Sequence, residues 1–161
     1  MRRVRPPLCA VGLLAIGFTA ARADQITGQR TEALTIERPA LDVRFSDGMV
    51  HATVAYDLVN PERSPDQATV ELALPPGAVV TGVRYRIGER WLTGKLIAAE
   101  AASARFDAYL YDPFVAARGA VLLAHDGYRG QLQMSYVPPR GRVAIRYDVE
   151  VPACFSQGRW I

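Results

Sequence analysis

The chain has 161 residues, 50% of them hydrophobic and 22% charged, which suits one folded domain with a real core and excludes a disordered polyelectrolyte. Its 19 basic residues outnumber 16 acidic ones. However, Arg2, Arg3, Arg5 and Arg22 all lie before residue 24, leaving 15 basic against 16 acidic beyond it. That balance argues against nucleic acid as a partner, because phosphates call for a net basic surface.

The first element is a leader. Arg2, Arg3 and Arg5 precede an apolar run from Leu8 to Ala21, which ends at the small-x-small pattern Ala21-Arg22-Ala23. Together these predict a signal peptide over 1–23, cut after Ala23, and export to the periplasm, the extracellular space or the cell surface. The run is shorter than the roughly 20 apolar residues that cross a bilayer, and no later stretch is long and apolar enough to serve, so no stable membrane anchor is expected after cleavage. Cys9 precedes most of the apolar run, whereas a lipid-bearing cysteine would follow it. Beyond the leader Cys154 is the only cysteine, which excludes a disulfide within the mature chain.

Residues 24–32 are polar and predict a flexible N-terminal segment. From there the chain alternates apolar and polar residues, the period of a strand with one buried face. Leu34 and Ile36 begin it; Leu41, Val43 and Phe45 continue it up to the turn pair Asp47-Gly48. Val50, Ala52, Val54, Tyr56 and Leu58 form the next inward row, with His51, Thr53 and Asp57 outward, until Asn60-Pro61 stops the run. Val70, Leu72 and Leu74 lead to Pro75-Pro76-Gly77; Val83, Tyr85 and Ile87 follow, then a short strand near Trp91-Leu92. Ile97 to Tyr111 breaks the pattern. It is rich in alanine, and Ile97, Ala101, Ala104, Ala108 and Tyr111 share helical spacing, predicting a helix that turns this face to the sheets and closes before Pro113. A short helical turn over Phe114 to Arg118 is expected next. Val121-Leu122-Leu123 reads as a buried strand, with Asp126-Gly127 as a turn. Leu132, Met134 and Tyr136 run into Pro138-Pro139-Arg140-Gly141. The last strand is the clearest, with Val143, Ile145, Tyr147, Val149 and Val151 on one face and Arg142, Arg146, Asp148 and Glu150 on the other. Such one-sided alternation predicts a mainly β fold, a two-sheet antiparallel β-sandwich with one inserted α-helix. The domain is expected over 33–151, with a C-terminal tail at 152–161.

In order, the landmarks are Tyr56-Asp57-Leu58-Val59-Asn60-Pro61, Leu72-Ala73-Leu74-Pro75-Pro76-Gly77, Arg86-Ile87-Gly88, a helix near Glu100-Ala101, Gly119-Ala120-Val121-Leu122-Leu123, and Val137-Pro138-Pro139-Arg140-Gly141 before Val143-Ala144-Ile145-Arg146-Tyr147. This series resembles the VIT domain of vault proteins and inter-alpha-trypsin inhibitor heavy chains, over roughly residues 33–151. The order and spacing carry the resemblance, since no single piece is specific. Arg105-Phe106-Asp107 replaces the Glu-Ala-Arg and Tyr-Glu stretch usual in the family helix. The Asp-x-Ser-x-Ser motif of the von Willebrand A domain that usually follows is missing from this sequence. The resemblance therefore implies a fold and an exported interaction role with another protein, without metal-dependent ligand binding.

Catalysis needs a placed nucleophile, base or metal. The two histidines, His51 and His125, form no HExxH pattern, and a zinc site needs about four clustered ligands. Neither a GxSxG elbow nor a GxGxxG loop occurs. No catalytic, cofactor-binding or metal residue is therefore assigned, and no cofactor is expected. The carboxylates Asp107, Asp112, Asp148 and Glu150 leave a carbohydrate hydrolase open as an alternative. Two features mark candidate binding surfaces. One is the aromatic set Trp91, Phe106, Tyr109, Tyr111 and Phe114, expected first as core where the helix seals one end of the sandwich; exposed, coplanar rings at Trp91, Tyr109 and Tyr111 would instead mark the sugar-stacking platform of a carbohydrate-binding module. The other is the row Arg84, Arg86, Arg90 and Lys95, expected first as a charged face that protects an edge strand.

Overall fold

The computed structural model describes residues 25–30, 33–95, 97–111, 119–125, 129–153, 155–156 and 159–160. The expected leader with Ala21 and Ala23, the turns expected over Phe114 to Arg118 and at Asp126-Gly127, and Cys154 all lie outside them.

The protein is mainly β, with two antiparallel sheets and one helix. In chain order the elements are β1 (Gln25–Gly28), β2 (Thr35–Ser46), β3 (Met49–Asn60), β4 (Asp66–Ala73), β5 (Val79–Ile87), β6 (Arg90–Thr93), α1 (Ala99–Tyr111), β7 (Val121–His125), β8 (Arg129–Val137), β9 (Gly141–Pro152), β10 (Phe155–Ser156) and β11 (Arg159–Trp160). One sheet has four strands in the order β1-β4-β8-β7, and the other has five in the order β2-β3-β9-β5-β6. The expected sandwich with one helix is what forms.

The alternating rows explain the core. On the five-stranded sheet Tyr56, Leu58, Val143, Ile145, Tyr147 and Val149 point inward; on the four-stranded sheet Val70, Leu72, Leu132 and Met134 meet them. Tyr56 and Tyr147 meet edge to face, with ring centroids 6.3 Å apart. The hairpin between β2 and β3 turns on Asp47 and Gly48, both at positive φ (53° and 74°), the geometry whose twist matches the flanking strands. Asn60, the last residue of β3, fixes the turn that follows. Its buried carboxamide donates to Ser64 O at 2.9 Å and Val137 O at 3.3 Å and accepts from Glu62 N at 3.0 Å. Arg140 N adds a bond to Glu62 O at 2.8 Å, so one corner joins β3, the following loop and the turn between β8 and β9.

Several features add to or depart from these expectations. Within the segment 24–32, Gln25–Gly28 is a strand paired antiparallel with β4, and its Ile26 packs against the core. Likewise the tail contains the short β10–β11 pair, and Ala153 N bonds Gly48 O at 2.9 Å. Asp57, placed on the outward face, is buried there, since Arg38 and Arg142 both fold over its carboxylate. Arg38 reaches it from a β-bulge at 37–40, where its φ is +51°. Finally, Leu41, Val43 and Phe45 do point to the core side, yet remain 55%, 39% and 51% exposed. Their cross-strand rows run Leu41–Val54–Tyr147 and Val43–Ala52–Val149, and burial fades along each towards β2. The four-stranded sheet does not extend far enough to cover this edge.

The helix forms where predicted but with a different face inward. Phe106 is buried, and Ala102 and Leu110 are partly so, whereas Ala101, Ala104 and Ala108 are exposed. Residues 102, 106 and 110 also share helical spacing, and Phe and Leu bury far more apolar area than alanines can.

Candidate functional site

An apolar recess lies beside α1, on the β5–β6 side of the molecule, and its shape follows from two local devices. First, β5 carries a register shift between Val80 and Gly82 against β9, which bends the strand away from its neighbour. Second, Gly94 N donates to Val83 O at 2.8 Å as the chain leaves β6. A Cβ on Gly94 would lie 2.5 Å from Val83 Cγ1, so only glycine permits this approach. The chain then passes Ile97 and enters α1.

The result is a groove of about 450 Å³. Val80, Val83, Ala120 and Leu123 give it an apolar base, and Ala102, Phe106 and Tyr109 line it from one stripe of the helix. Tyr109 and Ile97 stay partly exposed there. Lys95 and Arg105 supply the charge, and among the described residues lining the groove none is acidic. Behind it, Tyr85 donates its hydroxyl to Gly119 O at 3.0 Å. Burial, and secondarily the neighbouring Tyr109, push the Tyr85 phenol above its ordinary pKa of 10.0.

The structure divides the predicted aromatic set. Phe106 is buried under the helix, and Tyr109 lies at the groove. Trp91 does not join them. It pairs across strands with Arg86 on the outer face of the five-stranded sheet, opposite in pleat to Leu92 and Tyr85. There it is flanked by Arg86 and Arg146, whose guanidinium carbons lie 5.3 Å and 5.1 Å from the ring centroid, each a cation–π contact. Trp91 and Tyr109 therefore do not share a stacking platform. Phe114 and the side chain of Tyr111 lie outside the described residues. The basic row divides too: Arg84 and Arg86 share the outer face, while Lys95 lines the groove.

The outward acids proposed for hydrolysis sit in a surface network. Thr53 Oγ1 donates to Asp148 Oδ1 at 2.7 Å, and Arg84 stands 3.8 Å from Asp148 Oδ2. His51 Nδ1 lies 3.3 Å from Glu150 Oε1, and its Nε2 is 3.1 Å from Ser46 Oγ. Asp107 is exposed on α1, and Asp112 lies outside the described residues. This network borders a shallow recess of about 310 Å³ that also includes Asp42 and Arg44.

Sequence reasoning missed Arg105 as a groove residue, along with Val80 and Val83 as its base. A 3.6-residue stripe through Ala102, Phe106 and Tyr109 was available as the signal, but alanines all round the helix obscured its phase. No protein-family model matches the chain, and no curated protein matches it.

Proposed function

We propose that the chain is an exported, non-catalytic protein-interaction module of VIT type, and that its groove beside α1 receives an apolar segment of a partner protein carrying a carboxylate. One observation carries this reading. Exposed Ile97 and Tyr109 stand over an apolar base, with Lys95 and Arg105 at the same groove and no acid lining it among the described residues. Apolar contact area provides the attraction, while the two cations select a negatively charged partner and set its orientation.

The test is selection of peptides from a random displayed library against the purified protein, followed by fluorescence titration. Enriched peptides should combine apolar residues with Asp or Glu, and Arg105→Glu should weaken their binding at least tenfold while Trp91→Ser leaves it intact. Peptides indifferent to Arg105→Glu would overturn the groove reading. Binding to an oligosaccharide panel, lost in Trp91→Ser, would replace it with the carbohydrate-binding alternative. Export is tested separately by N-terminal sequencing of the secreted or periplasmic product, which should begin at Asp24; a membrane-bound product retaining Met1 would refute it.

A further inference from the structure

We propose that two copies of this chain associate edge to edge through β2, with Val43 on the two-fold axis, making one continuous sheet across the pair. The inference is independent of the groove reading, since β2 and β6 are opposite edges of the five-stranded sheet and the groove lies near β6.

An edge strand offers one side of its backbone to another strand, and folded proteins guard such edges with prolines, bulges and charges. Here the guarding covers only half of β2. Arg38 at positive φ, Pro39 and the register shift between Glu37 and Ala40 interrupt its first part. From Ala40 to Ser46 the ladder with β3 is regular, and every residue from Glu37 to Asp47 is exposed. This stretch also carries the apolar side chains that the opposite sheet leaves uncovered, Leu41 and Val43 among them.

The occupant is identified by self-complementarity. Antiparallel pairing about Val43 sets Asp42 opposite Arg44 of the second copy, and Arg44 opposite its Asp42. On the core-side face it sets Leu41 opposite Phe45 and Val43 opposite Val43. Opposite charges on one face and apolar pairs on the other are what a stable antiparallel pair requires. Within one copy Asp42 and Arg44 make only a 3.5 Å contact on the solvent side; association would exchange these two contacts, one per copy, for two cross-strand pairs. A two-fold arrangement of this kind closes on itself and does not propagate into a fibre. Pairing over so short an edge places the dimer at the weak, transient end of interfaces.

Sedimentation equilibrium of the purified protein from about 10 µM to about 1 mM spans the dissociation constants expected for such an interface. Wild type should show a monomer–dimer equilibrium. Arg44→Asp and Asp42→Arg should each weaken self-association at least tenfold. Mixed together, these two variants should associate with one another, and the double exchange Asp42→Arg/Arg44→Asp should self-associate like wild type. Val43→Lys, which brings two cations together on the axis, should also abolish the dimer. Circular dichroism identical to wild type shows that each variant keeps its fold, as expected for exposed positions. A wild type that stays monomeric over the whole range overturns the proposal, as does a dimer untouched by both Arg44→Asp and Val43→Lys.

Discussion

Replacing Asn60 tests whether the corner joining β3, its following loop and the end of β8 is held by one carboxamide. Asn60 is 0% exposed and makes three hydrogen bonds, two donated to Ser64 O and Val137 O and one accepted from Glu62 N. In Asn60→Ala the exposed Ser64 and Glu62 can turn to water, but Val137 O loses a donor in the interior. Three bonds at about 0.5–1.5 kcal/mol each, one of them to a buried acceptor, give a loss of about 2–4 kcal/mol. With a urea slope of about 2 kcal/mol/M, the midpoint should fall by about 1–2 M. Asn60→Asp sharpens the test. Its carboxylate can still accept from Glu62 N but faces two carbonyl oxygens in a site closed to water. Both effects raise its folded pKa above the unfolded value of about 3.9. The native state then binds more protons than the unfolded chain between those two values. Relative to wild type, this variant should lose stability as pH rises from about 4 through the folded pKa and recover on acidification. Urea melts of the three proteins at pH 4 and pH 7, followed by circular dichroism, measure both effects. An alanine variant within about 0.5 kcal/mol of wild type, or an aspartate variant equally destabilised at both pH values, would refute the reasoning.

The phase of α1 is tested by a pair of variants. Phe106→Ala should cost about 3 kcal/mol by emptying a buried site, and Ala104→Leu should stay within about 0.5 kcal/mol because its position is exposed; the reverse order in chemical melts would restore the alanine face as the packed one. Gly119→Ala should lower stability by about 1–2 kcal/mol or more, since φ there is +65° and a Cβ would lie 2.4 Å from Ile87 Cδ1; an unchanged melt would show that the strand entry relaxes freely. Because the Tyr85 phenol is raised, the native state holds its proton longer than the unfolded chain does, so the stability it contributes is present below pH 10 and lost as pH rises through the folded value. Tyr85→Phe should therefore flatten the alkaline decline in stability, and a decline of unchanged steepness would assign it to other groups.

What could be read from the sequence was local. The row Val143, Ile145, Tyr147, Val149 and Val151 announces a strand with one buried face, because alternate side chains of an extended backbone must point to opposite sides. Asp47-Gly48 announces its hairpin, because few residues accept positive φ twice in succession. The helix was legible from its alanines, and Tyr109 and Phe106 could be singled out as candidates for a surface or a core. Three features depended instead on partners distant in sequence. Leu41 and Val43 carry the pattern of buried residues, but whether anything covers them depends on how far the four-stranded sheet extends over β2. Asp57 alternates like an outward residue and is buried by Arg38 and Arg142, which arrive from a bulge and from β9. The groove needs β5, the exit from β6 and α1 together, and an alanine-rich helix does not declare which stripe it will turn inward. Periodicity specifies which way a side chain points relative to its own backbone; only the assembled sheets decide what, if anything, stands opposite it.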